Sequence, residues 1–215
     1  MSDLSSARGR MVERQLRGRG IEDERVLAVM AEVPREEFVP ARLRHRAYAD
    51  SALPIAEEQT ISQPWIVAAI CQALQLGGSE LVLEVGTGSG YSAAVLSLLA
   101  DHVVSIERHE ALSHAAGEVL RALGIGNVEL VVGDGSLGVP GRAPYSAIAC
   151  HATAPAPPPA LLDQLVDGGR LVLPIASEEA DALTLLRRSG ERFEREVIGP
   201  CRFVPLIGEA GFSSG

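Results

Sequence analysis

The residues of this sequence best suited to ligand chemistry are three glycines, Gly86, Gly88 and Gly90, which follow the apolar run 81–85. The apolar run predicts a short strand, and the residues after Gly90 predict a helix. Glycines in such a turn allow a tight backbone path and let a ligand approach the chain closely. The free N–H groups at the start of the following helix favour a polar or anionic ligand group. This strand–turn–helix unit is therefore the first candidate for a ligand site.

The spacing of these glycines distinguishes two classes of nucleotide-like ligand. Dinucleotide-binding proteins use G-x-G-x-x-G, but Tyr91 stands where the third glycine of that pattern would fall. The G-x-G-x-G form is typical of S-adenosylmethionine-dependent methyltransferases. In such a methyltransferase, an acid after the second strand would hold the ribose hydroxyls of the cofactor. Glu107 stands in this position, directly after the apolar run 103–106. Asp134 lies in a turn after the third apolar run, where it suits contact with the adenine of the cofactor. The alternative is a plain strand–turn–helix corner with surface acids.

The elements around this unit alternate between short apolar runs and helical stretches. The N-terminal part predicts helices over 5–18 and 23–32, with Asp23 as a cap, then a loop over 51–63 and a helix over 65–76 that Pro64 opens and Gly77-Gly78 end. Later predicted strands are 81–85, 103–106, 128–132, 145–150 and 170–174, predicted helices are 90–100, 110–123 and 159–165, and a two-stranded turn-back covers 183–188 and 193–198.

This alternation predicts an α/β fold with a mostly parallel sheet covered by helices on both faces. We expect one domain over 1–215. Within it, 1–76 would form an N-terminal helical segment that covers the substrate, and 77–215 would form the cofactor-binding core and the C-terminal strands.

The composition excludes several classes of function. The chain has 215 residues, a formal net charge of −9 and no lysine among its 19 basic residues. A nucleic-acid binder needs a basic face, and Schiff-base or P-loop chemistry needs a lysine. The three cysteines have no metal-binding spacing, so we expect no metal site and reduced thiols. No apolar run is long enough to span a bilayer and no signal peptide is evident, so we expect a cytoplasmic protein without membrane contact.

Nine segments, in order along the chain, resemble the protein-L-isoaspartate O-methyltransferase family. They are MVERQLRGRGI (11–21), VPREEFVP (33–40), AYAD (47–50), QTISQP (59–64), LEVGTGSGY (83–91), GDG (133–135), APYSAI (143–148), LLDQLVDGGRLVLPI (161–175) and FVPL (203–206). The combination of QTISQP with GTGSGY is the most specific to the family.

The resemblance implies a Rossmann-like class I methyltransferase fold and methyl transfer from S-adenosylmethionine to the free carboxylate of isoaspartyl residues in proteins or peptides. The ester then closes to a succinimide, which reopens partly to normal aspartate. The implied catalytic residue is Ser62, and the implied cofactor-binding residues are Gln59, Thr60, Ile61, Gly86, Thr87, Gly88, Glu107, Arg108, Asp134 and Gly135. The expected substrate contacts are Ile55, Trp65, His151 and Val204. We expect a monomer that acts on isoaspartyl proteins or peptides.

The chemistry of this reaction is compatible with a serine. A carboxylate with a pKa near ~4 is already ionised at neutral pH, so it needs no general base. The site must desolvate the carboxylate without protonating it, and one hydroxyl donor such as Ser62 can do so. The structural alternative is that Ser62 caps the helix that Pro64 opens.

Three features depart from the family pattern. The family usually has glycine where Ala56 and Glu58 stand, so each substitution strains the loop if its position needs a positive φ. Glu57 and Glu58 also place negative charge near a site for a carboxylate unless they point to water. His151 replaces a small residue at the carboxyl end of the fourth predicted strand, where it could contact substrate, act as a base or be a polar loop residue.

Trp65 has two interpretations, since it could line a peptide groove or fill the core. The other four histidines fit surface positions.

The whole chain also has alternative functions. The first alternative function is a divergent relative that methylates an aspartate in one dedicated peptide. The second is a cofactor-binding module without turnover. A nicotinamide dehydrogenase is disfavoured by Tyr91.

Overall fold

The computed structural model describes residues 2–213, with side chains from residue 4 onward, so the ends of the predicted 1–215 domain lie outside it. The chain begins with α1 (Ser2–Met11), which continues into a π-helical turn (Val12–Leu16) and a 3-10 turn (Arg17–Arg19). Helix α2 (Glu24–Glu32) follows, and the Asp23 carboxylate accepts hydrogen bonds from the N–H groups of Arg25 and Val26. Both predicted helices and the predicted cap are confirmed.

The segment predicted as a loop contains a small antiparallel ribbon. Strands β1 (Leu53–Pro54) and β2 (Thr60–Ile61) pair with each other. The turn between them is closed by hydrogen bonds from Ile55 N to Gln59 O, at 2.9 Å, and from Gln59 N to Ala56 O, at 3.0 Å. The prediction of a plain loop was wrong, because this region pairs its backbone locally.

Helix α3 (Pro64–Leu74) begins at the predicted proline but ends two residues early. Gln75 adopts a left-handed conformation, with a φ of 49°, and its N–H bonds to the carbonyl of Gln72. The predicted stop at Gly77-Gly78 was therefore wrong, since a non-glycine residue takes the conformation that usually favours glycine.

The rest of the chain forms a seven-stranded sheet and its helices. These elements are β3 (Leu81–Val85), α4 (Tyr91–Ser97), β4 (His102–Glu107), α5 (Glu110–Ala122), β5 (Val128–Val132), β6 (Tyr145–Cys150), α6 (Pro159–Asp163), β7 (Leu165–Ile175), β8 (Asp181–Ser189) and β9 (Arg192–Cys201). The strand order is β5-β4-β3-β6-β7-β8-β9; the first five are parallel, and β8 and β9 are antiparallel additions at one edge. The predicted α/β class is confirmed.

Several predicted boundaries in this part were wrong; β9, for example, continues to Cys201 although its predicted end was residue 198. Helix α4 ends at Ser97 rather than at residue 100, and α6 is a short helix that ends at Asp163. Strand β7 begins at Leu165 rather than Arg170, so Asp167-Gly168-Gly169 lies inside a strand. The pairing of β6 with β7 shifts register between Tyr145 and Ala147, which accommodates the extra residues.

Alternate residues of the parallel strands build two cores, one on each face of the sheet. Val82, Ala147 and Val172 pack on the face that α3, α4 and the N-terminal segment cover. Leu83, Ile148 and Leu171 pack on the opposite face, beneath α6. This alternation is what a sheet buried on both faces requires. Among residues 2–213, no helix is both long and apolar enough to cross a membrane.

A buried arginine joins the N-terminal segment to α4. The Arg35 guanidinium is fully buried, stacks over the Tyr91 ring at 4.8 Å and donates from Nε to the Ala47 carbonyl at 2.7 Å. Burial lowers the pKa of Arg35 to about 10 and raises that of Tyr91 to about 12. Because Tyr91 opens α4, this contact joins the N-terminal segment to the glycine turn.

Candidate functional site

A crevice opens where the order of strands reverses. Strand β3 pairs with β4 on one side and with β6 on the other, and open α/β sheets bind ligands at the carboxyl ends of such strands. Gly86 follows β3, and its N–H bonds to the carbonyl of Ile106 at 2.8 Å. His151 follows β6, and its N–H bonds to the carbonyl of Val85 at 2.8 Å. The topology thus places the glycine turn and His151 side by side.

All three glycines of the turn have a positive φ, and a Cβ at Gly90 would also lie only 2.9 Å from the Cβ of Ala116. Gly86 has a φ of 92°, and a Cβ there would lie 3.5 Å from the Cβ of His151. Gly88 has a φ of 53° and faces the side chain of Ile55, at 3.8 Å from such a Cβ. The turn therefore exposes bare backbone between His151 and the N-terminal segment, as a close-fitting ligand site requires.

Glu107 lies at the end of β4 and is almost fully buried. Its Oε2 accepts a hydrogen bond from Gly88 N at 2.9 Å, and its Oε1 accepts one from His109 N at 3.0 Å. A carboxylate has about four lone-pair directions, so both oxygens can still accept from ligand hydroxyls. These contacts hold the carboxylate at the rim of the glycine turn, where the ribose was expected.

Asp134 is occupied by the C-terminal segment instead of facing the cleft. Its Oδ2 accepts a hydrogen bond from Glu209 N at 2.7 Å, and its Oδ1 accepts from the N–H and the hydroxyl of Ser136. Burial raises the pKa of this carboxyl, but the hydrogen bonds from Glu209 and Ser136 outweigh that effect and hold it below its usual value. Its neighbour Gly135 does line the cleft.

Two cavities meet beside the glycine turn. The first, the cofactor cleft, has about 830 Å³ of empty space, part of it open to solvent. The predicted site residues that line it are Gln59, Thr60, Ile61, Ser62, Gly86, Thr87, Gly88, Glu107, Arg108, Gly135, His151 and Val204. The second, the outer groove, is walled by Arg19, Trp65 and Arg202, among others. The two cavities share Thr60, Ser62 and Phe203.

Ser62 lies at this junction and does not cap α3. The N-cap position of α3 belongs to Gln63, which makes no side-chain cap hydrogen bond. The prediction that Ser62 could serve as the cap was therefore wrong. Among the residues that the structure describes, none is hydrogen-bonded to the Ser62 hydroxyl. A hydroxyl in that position can donate to a ligand group that spans the two cavities.

Trp65 is half-buried: it packs against the hydrophobic core and also forms a wall of the outer groove, so both interpretations hold in part. Its indole N–H donates to the Arg19 carbonyl at 3.2 Å, and the Arg19 guanidinium lies 5.0 Å from the ring centroid. The same guanidinium pairs with Asp50 at 3.0 Å. The outer groove therefore combines polar and apolar side chains, and two arginines, Arg19 and Arg202, are among them.

His151 is buried, with a side chain that is 7% exposed, so it is not a polar loop residue at the surface. Its Nε2 lies 2.8 Å from the Ser92 hydroxyl and 3.4 Å from Oε1 of Glu84, a fully buried acid in β3. The other Glu84 oxygen accepts a hydrogen bond from Ser105, at 2.5 Å, and Thr87 lies 2.6 Å from Ser105. A chain of polar side chains thus runs from the sheet to the cleft wall.

In the loop over 56–58, which departs from the family pattern, the charged side chains are exposed to solvent. Glu57 and Glu58 are exposed and have φ values of 55° and 56°. The predicted need for a positive φ is therefore met at Glu58 but not at Ala56. Glu57 lies 3.7 Å from His109 Nδ1, which is only partly exposed, so the turn reaches the segment that carries Glu107.

Sequence reasoning missed several residues of the cleft. Ser92 lies one residue into α4, and a count along the helix after the glycine turn could have found it. Phe203 belongs to the FVPL segment, and Glu84, which is buried behind the cleft wall, belongs to the LEVGTGSGY segment. Pro205, Leu206 and Ile207 also line the cleft. Within residues 2–213, no three histidine, cysteine, aspartate or glutamate side chains form a cluster that could bind a metal ion.

The cleft fits the cofactor that the glycine pattern predicts. Bare backbone at Gly86 and Gly88 admits close approach, and Glu107 offers oxygens to two neighbouring hydroxyls. These features suit an adenosyl group that carries a charged amino-acid tail.

Known proteins share both the sequence and the fold of this chain. The family model of protein-L-isoaspartate(D-aspartate) O-methyltransferases matches residues 7–211. A protein-L-isoaspartate O-methyltransferase of Koribacter versatilis is 51% identical over 96% of this chain and 93% of its own length. One of Herpetosiphon aurantiacus is 52% identical over 99% and 95%, respectively.

Two solved structures extend the comparison. A protein-L-isoaspartate O-methyltransferase is 30% identical, with a TM-score of 0.84 over 95% of this chain and 67% of the other. A Plasmodium falciparum protein, solved in complex with S-adenosyl-L-homocysteine, is 22% identical and has a TM-score of 0.78 over 95% of this chain and 98% of its own. The second likeness supports the fold alone.

Proposed function

This chain belongs to the protein-L-isoaspartate(D-aspartate) O-methyltransferase family, and on that premise we propose how its own residues perform the reaction. The protein is an S-adenosylmethionine-dependent enzyme that methylates the free carboxylate of isoaspartyl residues. The observation that supports the proposed site best is the position of Ser62, whose hydroxyl lies where the cofactor cleft meets the outer groove.

The cofactor residues divide into four groups. The glycine turn brings the backbone next to the cofactor at Gly86, Thr87 and Gly88. The end of β4 contributes Glu107 and Arg108. The N-terminal segment closes the cleft with Gln59, Thr60 and Ile61. Gly135 forms the wall of the adenine side, and Asp134 fixes the C-terminal segment behind it. S-adenosylmethionine, when bound, supplies a methyl group on a sulfonium that is already a good leaving group.

Ser62 holds the acceptor carboxylate in this scheme. One hydrogen bond from its hydroxyl replaces part of the water that the carboxylate loses on entering the cleft, and it leaves the group ionised. No general base is needed, because a carboxylic acid with a pKa of about 4 has already lost its proton at neutral pH. Most of the catalysis then comes from alignment in a site that excludes water, which can contribute roughly 7–11 kcal/mol.

The substrate contacts surround this point. Ile55 packs against the glycine turn, Val204 and His151 line the cleft, and Trp65 walls the outer groove. We assign residues 1–76 to the segment that covers the substrate and residues 77–215 to the cofactor-binding core. In this arrangement the groove receives the peptide chain on either side of the isoaspartyl residue.

We also propose the binding partners, the cellular compartment and the oligomeric state of the protein. The net charge of −9 argues against nucleic acid as a partner. The cysteines Cys71, Cys150 and Cys201 are all unpaired, which suits a reducing compartment such as the cytoplasm. Burial raises the pKa of the Cys150 thiol to about 12, so this thiol stays unreactive. We propose a monomer that acts on isoaspartyl proteins or peptides.

Neither alternative function has comparable support. The relatives that match nearly the whole chain at about half identity carry the same enzyme name, which favours this activity over a dedicated peptide methyltransferase or an inactive binding module. The departures at Ala56 and Glu58 lie in a turn whose glutamates point to water. They therefore give no specific reason to prefer an alternative.

The test of the proposed site is the Ser62→Ala variant, assayed with an isoaspartyl peptide. We expect kcat/KM to fall roughly ten- to hundredfold, because a hydrogen bond to a charged group contributes about 1.5–3 kcal/mol. Calorimetry with S-adenosylhomocysteine should give a Kd within about threefold of wild type, since Ser62 faces the acceptor.

Ser62→Thr is the matched control, because it keeps a hydroxyl at the same position. It should retain more activity than Ser62→Ala. Equal kcat/KM for wild type and Ser62→Ala would contradict the assigned role. So would a loss of cofactor affinity as large as the loss of turnover.

A further inference from the structure

The two arginines of the outer groove differ in their partners. The Arg19 guanidinium pairs with Asp50 at 3.0 Å and lies 5.0 Å from the centroid of the Trp65 ring. Asp50 also accepts a hydrogen bond from the Gln63 side chain at 2.6 Å. Arg202 is exposed, and its guanidinium forms no ion pair and no hydrogen bond within the described part of the chain. Arg202 is therefore the cation of the groove that is available to a ligand.

The charge on the groove wall is opposite in sign to that of the protein. The chain has 28 acids and a formal net charge of −9, yet the described residues that line the groove include no aspartate or glutamate. Asp50 offsets the charge of Arg19, so the excess positive charge of the groove comes from Arg202. A cleft lined by one sign of charge attracts ligand groups of the other sign, which here are carboxylates.

The position of Arg202 indicates which carboxylate it meets. The next residue, Phe203, lines both the cofactor cleft and the outer groove, as does Ser62. Arg202 lines the outer groove alone. The acceptor carboxylate must reach the methyl group of the cofactor, so it enters at the wall that the two cavities share. Arg202 thus lies on the side of that wall where the rest of the peptide remains.

We propose that Arg202 is a specificity-determining residue, which favours isoaspartyl peptides that carry aspartate or glutamate within two residues of the isoaspartate. The proposal rests on the proposed function, because it names a preference of the same site among its substrates. Consecutive Cα atoms are about 3.8 Å apart, and an extended peptide advances roughly 3.3–3.6 Å per residue. A guanidinium one residue beyond the shared wall therefore lies opposite the nearest neighbours of the isoaspartate.

The guanidinium suits this role by its shape as well as its charge. It can donate two parallel hydrogen bonds to one carboxylate, whereas an uncharged amide side chain of the same size offers no charge to pair with. Because Arg202 is exposed, the pair is an exposed ion pair, which changes a binding constant by up to about fivefold. Such a pair tunes the choice among substrates and does not restrict the enzyme to one peptide.

The test compares isoaspartyl peptides that differ only in glutamate or glutamine at one position, made in turn at the two positions before and the two after the isoaspartate. At low ionic strength we expect glutamate to lower the KM of wild type about two- to fivefold at one or more of these positions, with kcat changed less. The preference should disappear in Arg202→Gln and persist in Arg202→Lys. It should also shrink in about 0.5 M NaCl, because salt screens exposed charges.

Arg192→Gln is the matched control. It makes the same change of charge at an exposed arginine on the same strand, β9, but at the opposite end. Ten residues at about 3.3 Å each place it on the order of 30 Å from Arg202. Arg192→Gln should keep the wild-type preference for glutamate. All variants should bind S-adenosylhomocysteine with similar Kd, which verifies that each is folded.

Several results would overturn the inference. One is a wild-type enzyme with equal KM for the glutamate and glutamine peptides at all four positions. Others are a preference that survives in Arg202→Gln, or one that Arg192→Gln removes as well, since the net charge would then be its cause. An equal fall in kcat/KM for both kinds of peptide in Arg202→Gln would place the guanidinium on the acceptor carboxylate instead. Wild-type enzyme that methylates none of the isoaspartyl peptides would refute the proposed function itself.

Discussion

Among single residues, Asp134 illustrates how an acid predicted to bind the cofactor instead holds the C-terminal segment in place. Its carboxylate binds the backbone of the C-terminal segment at Glu209 and the side chain of Ser136. A Cβ at Gly208 would lie only 2.0 Å from Asp134 Oδ1, so the segment packs directly on the carboxylate. That segment contributes Leu206 and Ile207 to the cleft, so the contact links stability with the site.

Asp134→Asn should therefore destabilise the protein by about 1–2 kcal/mol at pH 7, because an amide cannot accept all of these hydrogen bonds. The pKa of Asp134 is lowered in the folded state, so its stabilising contribution is present above the unfolded pKa and is lost as pH falls through the folded pKa. The advantage of wild type should thus shrink below about pH 4. Urea unfolding between pH 7 and pH 3.5 measures it.

Asp101→Asn is the control for this prediction. Asp101 is exposed, and its carboxylate makes no hydrogen bond within the described part of the chain. Its substitution should change stability little at any pH. An Asp134→Asn protein as stable as wild type at pH 7 would count against the assigned contacts, as would a difference that persists unchanged into acid.

The sequence predicted residues of the site where a local pattern marks them. Glu107 was predicted because it directly follows an apolar run, and Gly86 and Gly88 because they follow a strand. The engagement of Asp134 and the burial of His151 could not be predicted, because their partners come from distant parts of the chain. Glu209 and Glu84 meet them only after the sheet has formed.

Among the structural elements, the turn between β1 and β2 carries the clearest departure from the family pattern. Its central residues Glu57 and Glu58 both have a positive φ, as in a type I′ turn, whereas Ala56 does not. A side chain in the left-handed region costs about 1–2 kcal/mol. Restoring glycine should therefore have opposite effects at positions 58 and 56.

We expect Glu58→Gly to stabilise the protein by about 0.5–1 kcal/mol, which raises Tm by roughly 1–4 °C. Ala56→Gly should instead leave Tm unchanged or lower it, because glycine there only adds freedom to the unfolded chain. Calorimetric melting of the two variants provides the comparison. Stabilisation by Ala56→Gly equal to that by Glu58→Gly would show that the turn has another path.

Element boundaries followed the sequence where side chains determine them. The strands over 81–85, 128–132 and 145–150 match their apolar runs to the residue. The start of β7 does not, because Asp167-Gly168-Gly169 has the composition of a turn, yet β7 already pairs with β6 before it, at Leu165, and pairs again after it, at Arg170. The turn-like residues form an irregularity between two paired stretches of one strand.

At the scale of the whole molecule, the fold class follows from the alternation of strands and helices, but the strand order does not. Nothing local states that β6 pairs with β3, although this pairing creates the crevice between Gly86 and His151. The N-terminal segment likewise closes the cleft through contacts, such as Arg35 on Tyr91, that no local pattern predicts. The two cavities and their junction at Ser62 are thus properties of the assembled chain.

The central claim is that this assembled site methylates isoaspartyl residues wherever the outer groove can accept the peptide. The most direct test uses wild-type protein, S-adenosylmethionine and two unrelated peptide sequences, each made with either isoaspartate or aspartate at one position. Mass spectrometry then follows the methyl ester and the succinimide. We predict that both products form from both isoaspartyl peptides and from neither aspartyl peptide. Equal methylation of the aspartyl forms, or no reaction with any peptide while calorimetry shows bound cofactor, would contradict the account.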